Sequence, residues 1–217
     1  MLVRRFIELL TPTECFGCGA DNVVLCTTCT MRFGLRDVNI CYACRLPSPA
    51  AYVCKRCASD MAMSGVAVAA YYDGPVKELI LSLKFQRLRA AADAAAALIT
   101  ATLPSWPIDM VTSVPISPAR HRERGYNQSE LLARRVAEAL DRPYTPLLAR
   151  ANSQHQLGLD RRSRLRSAGG FFAVRRCEGH VLVVDDVLTT GATLNACAAE
   201  LRGAGAEVVW GAAVARH

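Results

Sequence analysis

Residues 181–194 read Val181-Leu182-Val183-Val184-Asp185-Asp186-Val187-Leu188-Thr189-Thr190-Gly191-Ala192-Thr193-Leu194, and this stretch decides the fold. The unbroken, β-branched apolar run 181–184 predicts a parallel strand covered on both faces. It is expected to end in the carboxylates Asp185 and Asp186, at the edge where open α/β sheets place their ligands. A turn of small residues, Thr189 to Thr193, then opens an alanine-rich helix predicted near 193–202. Such a turn aims several backbone N–H groups and a positive helix terminus at one point, which suits an anion. The hydroxyls of Thr189, Thr190 and Thr193 can add hydrogen bonds to a phosphate. Paired acids beside a phosphate cradle fit a sugar phosphate, the carboxylates accepting from ribose hydroxyls while the loop holds the 5′-phosphate. The P-loop alternative fails because no Gly-Lys-Ser/Thr follows. Gly203-Ala204-Gly205 follows a helix and precedes a strand predicted over 207–215, so it reads as a helix C-cap turn.

The chain has 217 residues, room for one ordinary domain and a small appendage. With 52% apolar residues it can bury a sizeable core, and no apolar run is long enough to span a bilayer. Residues 1–10 carry Glu8 inside their apolar stretch and lack the core of a signal peptide. A cytoplasmic location without membrane insertion is therefore expected. The formal charge of +7 suits anionic partners, either phosphorylated metabolites or nucleic acid.

Eight of the ten cysteines form four identical pairs: Cys15/Cys18, Cys26/Cys29, Cys41/Cys44 and Cys54/Cys57. Thiolates separated by two residues can grip one tetrahedral ion, and two such pairs complete a four-thiolate zinc site. Gly17 and Gly19 let the first knuckle turn tightly, so that backbone amides can point at sulfur. Uniform Cys-x-x-Cys pairs in a cytosolic chain favour metal over disulfides, and the absence of a surrounding βαβ pattern argues against a thioredoxin-like redox pair. Sequential pairing would give two ribbon-like sites, while cross-bracing remains an alternative. A stretch of roughly 50 residues is too small to fold on its own core, and zinc binding of about 10–16 kcal/mol could supply the missing stability. The expected role of the metal, two Zn²⁺ per chain, is structural, since all-cysteine sites leave no open coordination position.

Beyond Cys57 the pattern becomes α/β. A strand is predicted over 64–72, and Asp73-Gly74-Pro75 then starts a helix with Val76, Leu79, Ile80 and Leu83 along one face and Lys84 at its end. An alanine-rich helix covers 90–103 and is stopped by Pro104 and Pro107. A strand over 109–114 ends at Pro115, and a helix over 127–140 buries Leu131, Leu132, Val136 and Leu140. Short strands fall near 147–149 and 170–174. Strands alternating with helices imply a mostly parallel sheet. Two basic segments stand out. The first, 117–129, joins a strand end to a helix start as a second phosphate-binding loop, with Arg124 and the flexible Gly125 beside the helix N-terminus. The second, 156–166, holds Arg161, Arg162, Arg164 and Arg166 and reads as a mobile loop able to close over a polyanion. Cys177, Cys197, Trp106 and Trp210 read as packing residues, and the histidines show no ligand spacing.

The stretch 181–194 resembles the phosphoribosyl-pyrophosphate (PRPP) motif of type I phosphoribosyltransferases. Together with the four cysteine pairs, Tyr72-Asp73-Gly74, Leu83-Lys84-Phe85, Val114-Pro115, Arg124-Gly125-Tyr126-Asn127-Gln128-Ser129, and Gln156 with Arg164, it makes the whole chain resemble the ComF/GntX family. Members join an amino-terminal zinc module to a type I phosphoribosyltransferase domain. The resemblance implies a zinc-ribbon-like module over 1–62 and a phosphoribosyltransferase-like domain over 63–217. Tyr126 stands where the family usually has Phe, and Ser167 where it tends to have Asn.

By position, the resemblance implies that PRPP binds along Asp185, Asp186, Val187, Leu188, Thr189, Thr190, Gly191, Ala192 and Thr193, with Arg124, Gly125 and Lys84 contributing. Asp185 and Asp186 would serve catalysis by holding the ribose hydroxyls, Arg124-Gly125 would face pyrophosphate, and Mg²⁺ would arrive with the PRPP. The implied chemistry is displacement of pyrophosphate at ribose C1, resting on orientation and charge stabilisation. A non-enzymatic adaptor for DNA uptake in natural transformation, binding single-stranded DNA or competence machinery, is the alternative. A PRPP-sensing regulator is a third. No aromatic stacking platform for DNA is legible, since the six Phe and six Tyr are spread along the chain.

Overall fold

The computed structural model of the chain describes residues 14–34, 39–86, 89–150 and 170–217. The N-terminal stretch 1–10, the arginine-rich segment 156–166 and Ser167 lie outside them. In chain order the elements are α1 (Thr27–Phe33), β1 (Gly65–Tyr71), α2 (Gly74–Leu81), α3 (Arg89–Thr102), β2 (Met110–Ser113), α4 (Pro118–Arg124) and α5 (Gln128–Leu140). They continue with β3 (Leu148–Arg150), β4 (Phe171–Ala173), β5 (His180–Leu188), α6 (Ala192–Gly203) and β6 (Val208–Arg216). Among the described residues no helix is long and apolar enough to cross a membrane.

A four-stranded sheet in the order β1-β6-β5-β2 holds the molecule together, and all its pairings are parallel. β3 and β4 form a separate antiparallel pair. Alternation along the strands feeds two cores. Leu182, Val184, Trp210, Ala212 and Val214 face α2, α3 and α5, whereas Val181, Val183, Val209 and Ala213 face α6. This is the double cover that an unbroken apolar strand demands. The sheet is thus mostly parallel, as the helix–strand alternation predicts.

β5 differs from expectation in length. It runs through both acids to Leu188, because Asp185, Val187 and Leu188 keep their parallel pairing with Ala213, Ala215 and Arg216 of β6. The acids therefore sit within the strand's carboxyl-terminal part and inherit its rigidity. The segment 117–129 also departs from the expected loop. The Ser117 hydroxyl accepts from the Arg120 N–H, Pro118 opens the first turn, and Gly125 at φ 77° caps the far end, so 118–124 close into a helix. Cap residues at both ends decide this short helix, which has no buried residue to give it an apolar periodicity. Arg124 is its last residue, and the expected phosphate loop shrinks to the turn Gly125-Tyr126-Asn127.

α2 begins where Asp73 accepts the Gly74 N–H and Pro75 occupies the first turn, and it buries Val76, Leu79 and Ile80. It passes into a wide π turn, Ser82–Gln86, that buries Leu83, exposes Phe85 and turns the half-buried Lys84 toward Asp186. Such turns are rare and recur at functional sites. In α5, Leu132 and Val136 are buried, while Leu131 and Leu140 pack at the core's edge. The cysteine-rich segment is built into both cores. Cys15, Val24, Leu25 and Cys29 join the face with α2, α3 and α5, and Tyr42 and Met63 join the face with α6.

Candidate functional site

Three separate sequence stretches meet at the carboxyl-terminal part of β5. Asp185 accepts the Ser129 hydroxyl at 2.9 Å and its neighbour's own N–H, from Asp186, at 2.9 Å. Asp186, only 6% exposed, accepts from the Gln128 side-chain amide at 3.2 Å and pairs with the Lys84 ammonium at 3.1 Å. Gln128 and Ser129 open α5, whose start is fixed by Asn127. The Asn127 side chain accepts the Ser129 N–H and donates to the Val114 carbonyl at the end of β2. Lys84 comes from the π turn, and the Tyr126 hydroxyl donates to the carbonyl of Leu83 in that turn. The Arg124 guanidinium lies over the exposed ring of Phe85, 5.2 Å from its centroid.

The electrostatics follow from packing. Burial, reinforced by the charge of Asp186, pushes the Asp185 carboxyl up to about 7, against the opposing hydrogen bonds from Ser129 and Asp186 and the charge of Lys84. Paired carboxylates held this way can accept hydrogen bonds from vicinal hydroxyls.

Past Leu188 the chain turns through Thr189 and Thr190, both exposed, to Gly191 at φ 81°, which caps the N-terminus of α6. Only a residue without Cβ fits there: a Cβ would lie 2.7 Å from the ring of Tyr42. The Thr190 hydroxyl accepts the Ala192 N–H at 3.3 Å, and Ala192 and Thr193 are exposed on the first turn. Val187 and Leu188 sit in the strand, one half-buried and one buried, so their side chains serve packing.

Lys84, Asp186, Gln128, Ser129 and Asp185 are thus brought into one network, and Arg124 and Gly125 stand at its rim on the α4–α5 turn. Sequence reasoning named the acids and Lys84 as site residues but passed over Gln128 and Ser129 as ligands of those acids. Their signal was in plain view, as the first polar residues of a helix whose cap follows Arg124-Gly125. A hollow of about 420 Å³ beside Gly125 and Tyr126 is walled also by Glu130 and Arg134, on the outer side of α5.

Two cysteine clusters complete the inventory. Cys15, Cys18, Cys26 and Cys29 form one, and Cys41, Cys44, Cys54 and Cys57 the other, with all ligand sulfurs of a cluster within 4.8 Å of one another. The pairing is therefore sequential. Sulfur separations of 3.7 Å (Cys18 to Cys26) and 3.5 Å (Cys44 to Cys54) approach the roughly 3.8 Å edge of a tetrahedron with metal–sulfur bonds of about 2.3 Å. No disulfide joins any of the eight cysteines. Gly17 is required by close approach, since a Cβ there would sit 2.6 Å from the Cys29 sulfur. Burial raises Cys15 and Cys41, but backbone N–H donors outweigh it and bring both thiols down to about 6; burial pushes Cys29 and Cys57 up to about 12. The lowered thiols Cys15 and Cys41 favour the deprotonated form that a metal ion requires of its ligands. The donor set fits a metal ion. Cys177 and Cys197, by contrast, are buried packing residues whose thiols burial pushes up.

The chain is 32% identical over 223 residues to the DNA utilization protein YhgH of Escherichia coli, covering 93% of this chain and 97% of that protein. It is 30% identical over 204 residues to the competence protein ComFC of Bacillus subtilis, covering 88% of this chain and 79% of that one. The chain belongs to the ComF/GntX family. Another similar member is competence protein F of Haemophilus influenzae, 37% identical over 115 residues, 48% of this chain and 50% of that protein. No family model matches the chain. Among solved structures, glutamine PRPP amidotransferase from B. subtilis complexed with ADP and GMP is similar at TM-score 0.40 and 24% identity; the match covers 64% of this chain and about a quarter of that one (26%). Within the ComF/GntX frame, the two four-cysteine clusters and the mostly parallel α/β sheet are the chain's defining parts.

Proposed function

We propose that the protein binds Mg²⁺-PRPP at the carboxyl end of β5 and transfers its phosphoribosyl group to an acceptor. The observation that carries this reading is the continuity of the acid pair, on a rigid strand, with the Thr189–Thr193 turn and its left-handed Gly191 cap. Asp185 and Asp186 accept from the ribose 2′- and 3′-hydroxyls. N–H groups of the turn and the threonine hydroxyls hold the 5′-phosphate. Lys84 pairs with Asp186, and Gln128 and Ser129 orient the two carboxylates. In the reaction the acceptor's lone pair bonds to ribose C1 as the C1–oxygen bond to pyrophosphate breaks; pyrophosphate leaves with the bonding pair, and the acceptor loses a proton. Mg²⁺ would neutralise the departing pyrophosphate. Arg124-Gly125 faces that leaving group. We assign Zn²⁺ to both cysteine clusters, 1–62 to the zinc module and 63–217 to the transferase-like domain, and a cytoplasmic location to the whole.

Calorimetry with Mg²⁺-PRPP tests the reading. Wild type is expected to bind saturably, and Asp185→Asn/Asp186→Asn roughly 10- to 100-fold more weakly, the loss expected for two charge-assisted hydrogen bonds. No saturable binding by wild type sinks the proposal. Pyrophosphate release across a panel of nucleobases separates transfer from a PRPP sensor. The names of the relatives, DNA utilization and competence proteins, favour a second reading as a handler of single-stranded DNA. Salt-dependent capture of an oligonucleotide that survives the aspartate substitutions would place DNA on another surface of the protein.

A further inference from the structure

The second cysteine cluster touches the phosphate-binding turn through one side chain. Tyr42 lies inside the knuckle Cys41-Tyr42-Ala43-Cys44, only 5% exposed. Its ring edge packs against the Cα of Gly191, so closely that a Cβ there would meet two ring carbons at 2.7 and 2.8 Å. Its hydroxyl donates to the side-chain oxygen of Asn195, 3.3 Å away on the first turn of α6, and is 3.2 Å from the Met61 sulfur. The same Asn195 oxygen accepts the Ala62 and Met63 N–H groups at 2.8 and 3.4 Å. Both flanks of the second cluster, Tyr42 before its second cysteine and 61–63 after its last, are therefore pinned to one atom of α6. Gly191 itself contributes no side-chain cap, so the turn's left-handed geometry is supported from outside, by Tyr42. The first cluster packs against the opposite face of the sheet.

We propose that Tyr42 is a positioning residue for the phosphate turn, and that metal loading of the second cluster, but not of the first, sets the conformation of 189–195. An empty second cluster frees the knuckle, withdraws the ring from Gly191 and loosens the turn. Because the consequence for ligand rests on the PRPP reading, the decisive measurement is made without ligand.

The test uses the full chain as wild type, Tyr42→Phe, Asn195→Ala, the double variant, Cys54→Ser and Cys18→Ser. Zinc content, amide hydrogen exchange across 189–195 and Mg²⁺-PRPP affinity are read on each. Tyr42→Phe keeps the ring and loses the hydroxyl. It and Asn195→Ala are expected to retain two zinc per chain while exchanging faster at 189–195. The double variant is expected to exchange no faster than Asn195→Ala, because both act through one contact. Cys54→Ser, which disturbs the second cluster, is expected to lose zinc and exchange faster at 189–195, whereas Cys18→Ser, which disturbs the first, is expected to lose zinc and leave that exchange unchanged. Unchanged exchange in Cys54→Ser overturns the role of the metal. Affinity for Mg²⁺-PRPP is expected to fall roughly 10-fold in Tyr42→Phe and Asn195→Ala, a coupling of ordinary size. Unchanged exchange at 189–195 in both variants overturns the proposal, as does equal loosening by Cys18→Ser. Wild type that fails to bind PRPP would overturn the ligand assignment alone, since the exchange comparison still decides the support.

Discussion

Asp185 is the residue where stability and function pull apart. Its carboxyl is held up to about 7 in the folded chain, from an ordinary 3.8, mainly by burial. A raised folded value means that the folded state binds the proton more tightly than the unfolded chain. The stabilisation is therefore complete below about pH 4 and lost as pH rises through about 7. Asp185→Asn removes this loss. In urea titrations the variant is expected to gain on the order of 2–4 kcal/mol over wild type at about pH 8, and little at about pH 4. The same substitution weakens the proposed hydroxyl contacts, so a more stable protein that binds Mg²⁺-PRPP less well is the expected signature of a site residue. A variant no more stable at about pH 8 would show that the carboxyl is not held up in the folded chain.

Among the elements, the π turn Ser82–Gln86 bears most on the site, since it delivers Lys84 to Asp186. Lys84→Met leaves two acids facing each other without their cation. We expect a loss of about 2–3 kcal/mol at about pH 8, where Asp185 is ionised, and a smaller loss at about pH 5, where Asp185 holds its proton. Equal losses at both pH values would place the contribution of Lys84 in its packing. The turn shows where sequence reading stops. Periodicity located α2, α3, α5, β1 and β6 closely, because each buries a regular apolar face. It made β5 too short, since acids are poor strand formers and only pairing with β6 carries them on. It missed α4, a helix with caps and no buried face. Lys84 was legible as a helix end, but the hydrogen bond from Tyr126 that fixes its turn spans distant chain segments, and no local pattern encodes it. Tyr42 was silent for the same reason: a tyrosine between two cysteines says nothing of a glycine at the far end of the chain.

At the scale of the molecule, the cysteine-rich segment is a structural partner of both cores, which gives metal removal a global effect. Each chain is expected to carry two zinc, and chelation is expected to lower the melting temperature and abolish a single cooperative transition. One zinc per chain, or a melting curve indifferent to chelator, would contradict this. Docking of that segment also shapes the aromatic floor at the amino end of the sheet. The only two tryptophans of the chain, Trp106 and Trp210, stack there with centroids 4.5 Å apart and planes 9° from parallel, and Tyr52 meets both rings edge-on. Trp106 donates to the Ala50 carbonyl of the cysteine-rich segment, Trp210 to Pro107. Two indoles so close and so nearly parallel share their excited states. The protein therefore carries an internal optical reporter, the coupled indole contribution to its circular dichroism, placed at the junction between β6, the α3–β2 connection and the cysteine-rich segment. That signal should vanish when the segment undocks, even while the helices of the sheet's far face stay formed.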